Sequence, residues 1–291
     1  MKIHSEFGTA APAAGKPSRS LRRAQCTVWI AAFSLVLPGF GQDTVSEKKF
    51  PPITLANHFS CQDPNQDLDL GCGFLLKHDE QVYAVSAKHI LGALKLKGID
   101  GVSHVCLEGP LKAWTMFSKQ NPKETVALGE LLNEDRKEKL NSAAAAKADW
   151  VVFEIKANAS HVQPLELRTT PLKPGEKLYV VGWNSEQKTG PQRTYEFEYH
   201  KTIGTRILLK DVIVPAKLGG LSGAPVVDGD GLVVAIVSGG TVDPDTGKKM
   251  FSPCLVTGLV DFLDKLPAKK QARTNRESGL MDLNPFGMPG L

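Results

Sequence analysis

A chain of 291 residues with 42% hydrophobic composition can bury a substantial core, and its formal net charge of +4 is small for that size. Apart from Arg22-Arg23 and Lys269-Lys270 the basic residues are spread out, which argues against a nucleic-acid footprint. No Cys-x-x-Cys, His-Glu-x-x-His or phosphate-loop pattern occurs, so neither a metal ion nor a nucleotide or other cofactor is indicated.

At the N-terminus, Arg22-Arg23 precedes an apolar stretch from Cys26 to Leu37, followed by Pro38-Gly39-Phe40-Gly41. A basic region, about a dozen apolar residues and small residues after them predict a secretory signal peptide over residues 1–41. The stretch is short for a membrane span, which needs about 20 apolar residues. An uncleaved N-terminal anchor is the alternative, and the long leader ahead of Arg22 is unusual for either. Residues 42–69 read as an N-terminal extension. Beyond the leader stand Cys61, Cys72, Cys106 and Cys254, an even count that in an exported chain predicts disulfides. The sequence leaves their pairing open.

Short alternating or apolar runs bounded by turn residues then follow, at 73–76, 81–86, 102–107, 150–155, 177–183, 195–199, 206–214, 224–227, 232–237 and 250–256. Asp228-Gly229-Asp230-Gly231 and Asp243-Pro244-Asp245-Thr246-Gly247 are hairpin signals. Many short strands without long intervening helices predict an all-β chain of two packed six-stranded barrels with a cleft between them. The stretch 128–146, with its Leu-Gly-Glu-Leu-Leu-Asn-Glu pattern and four alanines, reads instead as a helix or mobile surface insertion. A closing helix is expected over 256–263. Residues 268–291 read as a disordered tail, where Asn284-Pro285-Phe286 is a chance match to an adaptor motif.

The most informative segment is Gly219-Gly220-Leu221-Ser222-Gly223-Ala224-Pro225-Val226-Val227. A serine flanked by glycines can project its hydroxyl from a tight turn while nearby N–H groups stay free for an oxyanion. The same pattern also serves as a plain turn before a strand. A nucleophilic serine needs a base and an orienting acid. His89, at the end of Val85-Ser86-Ala87-Lys88-His89, looks delivered by a strand to a loop that holds it without burying it. Asp149, just before Trp150-Val151-Val152-Phe153, sits at the edge of a core. Each has an ordinary alternative: a lone histidine is usually a surface or core residue, and an aspartate before a strand is usually a turn former.

Taken together, these segments resemble trypsin-like serine peptidases of the chymotrypsin fold, in a bacterial-type exported form, whose triad runs in the order His, Asp, Ser. Gly71-Cys72-Gly73-Phe74-Leu75-Leu76 with Val85–His89 is similar to the family's strand pair leading into the histidine. Gly220-Leu221-Ser222-Gly223-Ala224-Pro225 is similar to its Gly-Asp-Ser-Gly-Gly-Pro. Leu178-Tyr179-Val180-Val181-Gly182-Trp183 resembles the strand that opens the second barrel, and Val234-Ala235-Ile236-Val237-Ser238-Gly239-Gly240 the strand lining the cleft. The matched blocks run from about residue 70 to about residue 265.

The resemblance implies two packed six-stranded antiparallel β-barrels with a short C-terminal helix, in a peptidase domain over 70–267. Barrel 1 would span about 70–165 and barrel 2 about 166–267. It implies Ser222 as nucleophile, His89 as general base and acid, and Asp149 as the group that fixes the imidazole. The N–H groups of Gly220 and Ser222 would form the oxyanion hole. Ser238 would support Asp149 and present its carbonyl to the substrate backbone, beside an open wall at Gly239 and Gly240. Ala216, six residues before the serine, would lie at the base of the primary pocket, which argues against a P1 preference for Lys or Arg and for a small or apolar residue, although Lys217 beside it blurs that reading.

Some residues depart from the family pattern. Leu221 replaces the acid before the nucleophile, and no Ile-Val-Gly-Gly stretch occurs, so salt-bridge activation of a zymogen is not supported. In animal members a cysteine near Cys72 pairs with one just after the histidine; Ile90 stands there, so Cys72 pairs elsewhere, with Cys61 a candidate, or stays free. The expected partner is a protein or peptide substrate, with no nucleic acid, no membrane beyond an N-terminal anchor, and a monomeric state. The alternative is an inactive protein that keeps the peptidase fold as a binding scaffold.

Overall fold

The computed structural model describes residues 45–99, 102–107 and 109–266. The signal-peptide reading of 1–41 and the tail 268–291 lie outside the described residues. The first half runs β1 (Leu55–Cys61), β2 (Leu68–His78), β3 (Gln81–Ser86), α1 (His89–Leu96), β4 (His104–Val105), β5 (Leu111–Phe117), β6 (Thr125–Leu131), β7 (Asp135–Lys139), α2 (Ala143–Lys147) and β8 (Val151–Asn158). The second runs β9 (Lys177–Gly182), β10 (Arg193–Ile203), β11 (Arg206–Ile213), β12 (Pro225–Val227), β13 (Val233–Val242), β14 (Lys249–Leu255) and α3 (Thr257–Asp264). Two closed six-stranded antiparallel barrels result, in the orders β1-β2-β3-β8-β6-β5 and β10-β11-β14-β13-β12-β9, with β4 and β7 pairing separately. The all-β double barrel with a short C-terminal helix is the architecture expected from the sequence.

The near-continuous apolar run of β9 follows from where the strand sits. Successive side chains point to opposite faces. Leu178 and Val180 enter the core of the second barrel, while Tyr179 and Val181 pack with the cluster that fills the first. Val226 and Val227 divide in the same way. Both faces of these strands are therefore dry, and alternation of apolar with polar residues is lost. The first barrel closes around aromatic side chains, with Phe59 and Trp114 ring centroids 4.5 Å apart and Trp114 and Phe153 4.9 Å apart.

Each chain end of the described region crosses to the opposite barrel. Before β1, the Ser46 amide donates to the Thr194 carbonyl at 2.9 Å, the amides of Ile53 and Thr54 donate to Gln192 Oε1 at 3.0 Å, and Thr54 Oγ1 donates to the Val181 carbonyl at 2.7 Å. After β14, α3 packs Leu259 and Leu263 into the cluster of the first barrel, and its Asp264 Oδ1 lies 2.9 Å from His78 Nε2.

Several sequence expectations are revised. The stretch 42–69 is not only an extension, because β1 closes barrel 1 between β2 and β5; the barrel thus begins at Leu55 rather than near residue 70. Buried Asn57 hides that strand in the sequence. Its side chain is satisfied by the carbonyls of Leu70 and Cys72 and by Trp114 Nε1. The stretch 128–146 is neither one helix nor a loop: it completes β6, forms β7 and ends in the short α2. β6 stays extended because it pairs with both β5 and β8, and Gly129 packs close to Glu154, whose Cβ would stand 3.2 Å from an added side chain. Of the run 102–107 only His104 and Val105 form a strand.

The cysteines are also revised: Cys61, Cys72, Cys106 and Cys254 are free. The thiols of Cys61, Cys72 and Cys254 each donate to backbone carbonyls in separate places, at Gln66, at Trp183 and Gly220, and at Lys147. Burial pushes the Cys72 thiol up to about 11.

Candidate active site

β3 ends at Ser86 and hands the chain through Ala87 and Lys88 to His89, which opens α1 rather than sitting in a loop. Asp149 lies between α2 and β8, and Ser222 lies in the turn that precedes β12. The fold brings all three together. His89 Nδ1 is 2.8 Å from Asp149 Oδ2, the His89 amide donates to Asp149 Oδ1 at 2.8 Å, and His89 Nε2 is 2.8 Å from Ser222 Oγ. Ser238, on β13, donates its hydroxyl to Asp149 Oδ2. One carboxylate thus holds both the ring and the backbone amide of His89, whose side chain keeps 23% of its surface exposed.

Asp149 is buried, which alone would push its carboxyl up. The charge of His89 and the hydrogen bonds from the His89 ring, the Ser238 hydroxyl and the His89 amide outweigh this and hold it at about 2. It is therefore an anion throughout the neutral range, fit to orient an imidazole and stabilise an imidazolium.

The serine turn is built on two glycines with positive φ, Gly220 at +93° and Gly223 at +83°. The amides of Leu221, Gly223 and Ala224 donate to the carbonyls of Leu218, Val237 and Leu221. The amides of Gly220 and Ser222 donate to no backbone carbonyl among the described residues. These are the two donors assigned to the oxyanion hole, and free N–H groups beside a nucleophile are what such a hole requires. Leu221, just before Ser222, is fully buried in the core of the second barrel.

Of the residues expected to meet substrate, Ser238 and Gly239 are partly buried on β13, and Gly240 beyond them is exposed. A side chain at Gly239 would meet nothing within 4 Å. Ala216 is exposed on the connection from β11, and the ammonium of its neighbour Lys217 pairs with Glu186 at 2.7 Å.

Several supporting residues carry no motif and were not legible in the sequence. Ser86 Oγ and Asn57 Nδ2 both donate to the Cys72 carbonyl, fixing the strand whose amide binds the Ser222 carbonyl. From the second barrel, Arg206 donates to the carbonyls of Ala146 and Ser252, and Thr205 Oγ1 donates to the Lys147 carbonyl. The residues just ahead of Asp149 are thereby fixed by the barrel that carries Ser222. Among the described residues no group of three or more His, Cys, Asp or Glu side chains is placed to hold a metal ion.

No protein-family model matches the sequence, and no curated protein does. Solved structures do. Neuropsin, a serine protease expressed in the limbic system of mouse brain, aligns with a TM-score of 0.52 at 14% identity, covering 75% of this chain and 96% of its own. A glutamyl endopeptidase aligns with a TM-score of 0.51 at 11% identity, covering 77% and 95%. The structure of GrC aligns with a TM-score of 0.50 at 16% identity, covering 78% and 98%. At these identities the likeness is one of fold, and the fold is the chymotrypsin-like double barrel found in serine proteases.

Proposed function

We propose that this protein is a serine endopeptidase that cleaves peptide bonds by acyl transfer. The observation that carries the reading is the unbroken line from Asp149 through both ring nitrogens of His89 to Ser222 Oγ, each contact at 2.8 Å. In this reading Ser222 Oγ attacks the scissile carbonyl as its proton passes to His89 Nε2. Asp149 holds the Nδ1 proton and stabilises the imidazolium. His89 then returns its proton to the leaving amine, and water repeats the sequence on the acyl-enzyme. The unengaged amides of Gly220 and Ser222 bind the oxyanion, and this readiness favours an active site over a silent scaffold.

The same reading takes a small or apolar P1 residue, supported by the lack of side chains at Gly239 and Gly240. It also takes an exported protein, supported by the basic and apolar pattern of residues 1–41; among the described residues no helix is long and apolar enough to cross a membrane. Labelling with a fluorophosphonate, read by intact mass and peptide mapping, tests the chemistry. One adduct on Ser222, absent in Ser222→Ala and sharply reduced in His89→Ala, is expected. A folded wild type that takes no adduct would overturn the proposal.

A further inference from the structure

β13 runs on past the point where both of its neighbours support it. On one side it pairs with β12 as far as Ile236, and the Val237 amide and carbonyl still bond Ala224 and Gly223. Beyond Val237 only β14 lies alongside it among the described residues, pairing Gly239, Gly240, Thr241 and Val242. The stretch from Ser238 to Val242 is therefore a strand edge with one open side, and two glycines stand within it. Glycine weakens a strand, because it loses more backbone freedom on ordering and brings no side chain to pack. Such an edge stays extended only if its ends are fixed.

The near end is tied to the site, where the Ser238 hydroxyl bonds Asp149. The far end is tied by Lys201 of β10. Its ammonium lies 2.5 Å from Asp243 Oδ1 and 2.6 Å from Asp245 Oδ2, in the turn that joins β13 to β14. The Asp243 side chain is only 1% exposed; its Oδ2 accepts from the Thr246 hydroxyl at 2.8 Å and lies 3.9 Å from His200 Nε2. A buried carboxylate with several partners is a fixed point in a way that an exposed ion pair is not. The hairpin carrying Lys201 is anchored in turn, since Thr205 Oγ1 donates to the Lys147 carbonyl and Arg206 to the Ala146 carbonyl, just ahead of Asp149.

We propose, building on the peptidase reading, that Lys201 is a positioning residue for substrate. Its grip on Asp243 and Asp245 keeps the 238–242 edge extended, ready for the backbone of a polypeptide. Open strand edges receive extended chains through main-chain hydrogen bonds, and that binding weakens when the edge must first be ordered. Capture of a longer chain thus depends on Lys201. The chemistry at Ser222 does not, because His89 and Asp149 are held from the near end.

The test uses the full chain and two probes of Ser222: an ethyl fluorophosphonate without any peptide, and a tetra-alanyl diphenyl phosphonate. Labelling against probe concentration separates the half-saturating concentration from the maximal rate. Lys201→Met should raise the half-saturating concentration of the tetrapeptide probe about tenfold, and leave its maximal rate and the ethyl fluorophosphonate rate within about twofold. Lys201→Arg, which keeps the cation, should recover most of that loss. Hydrogen exchange read by mass spectrometry should show 239–242 exchanging about tenfold faster in Lys201→Met, with 225–227 unchanged.

A merely structural role would slow both probes together, through lost fold. An equal loss with both probes, or an unchanged half-saturating concentration in a folded Lys201→Met, overturns the proposal. Should Lys201→Met fail to fold, Asp245→Asn, which weakens the grip from its exposed arm, must raise the tetrapeptide value about threefold; no rise overturns the proposal alone. A wild type that takes neither probe overturns the acyl-transfer reading instead. Hydrogen exchange then decides the role of Lys201 by itself, and unchanged exchange at 239–242 overturns it.

Discussion

The amide of Cys72, on β2 of the first barrel, donates to the carbonyl of Ser222 in the second at 2.7 Å. The turn that carries Ser222 is thus registered against the barrel that carries His89. Gly223 lies within that contact: an added Cβ would stand 2.1 Å from the Cys72 carbonyl oxygen and 2.6 Å from Ser86 Oγ, at a φ of +83°. Gly223→Ala should therefore destabilise the protein by at least ~2 kcal/mol, seen as a lowered midpoint in thermal or urea unfolding. An unfolding midpoint equal to wild type would show that the two barrels do not rely on this approach.

Gly220 faces a different neighbour. A Cβ there would stand 2.5 Å from the Ser185 amide nitrogen and 2.7 Å from the Asn184 carbonyl carbon, both backbone. The turn must shift to accommodate it, and its amide with it. Gly220→Ala is expected to slow fluorophosphonate labelling of Ser222 by about a hundredfold. A stability scan of the same sample separates lost chemistry from lost fold.

Asp149 links activity to acid stability. Its ordinary value of 3.8 falls to about 2 in the folded chain, so its contribution is present above the unfolded value and is lost as pH drops from about 4 toward 2. The contribution is about 2 kcal/mol at neutral pH. Asp149→Asn removes it, so the stability gap between wild type and variant should narrow over that window. Near pH 7 the variant should also label about a thousandfold more slowly, because the amide favours the wrong imidazole tautomer.

Reductant offers a simpler check. With Cys61, Cys72, Cys106 and Cys254 free, and the Cys72 thiol pushed up to about 11 by burial, dithiothreitol should leave the unfolding midpoint of a chain starting at residue 45 unchanged. A drop on reduction would reveal a covalent link among them.

Much of the site was legible before the structure because its chemistry needs rare residues in tight contexts. Ser222 between glycines, His89 at a strand end and Asp149 ahead of an apolar strand each announce themselves, and their order adds weight. The second barrel was legible for a related reason: β9, β12 and β13 bury both faces and read as long apolar runs. The first barrel was harder to read. β1 carries a buried polar residue at Asn57, whose partners come from β2, β3 and β5, and no local pattern encodes partners so distant. β6 has the composition of a helix, and pairing on both sides overrides it. Lys201 and Asp245 lie 44 residues apart, and only the fold makes them neighbours.

The exchange of chain ends between the barrels has a consequence for how the molecule comes apart. The segment before β1 is fastened to β9 and β10, and α3, which follows β14, is seated on the first barrel. Neither barrel can open without stripping a fastening from the other. The two halves should therefore melt as one cooperative unit, giving a single calorimetric transition whose van't Hoff and calorimetric enthalpies agree. Cutting the chain between β8 and β9 should yield halves that recover their structure only when mixed.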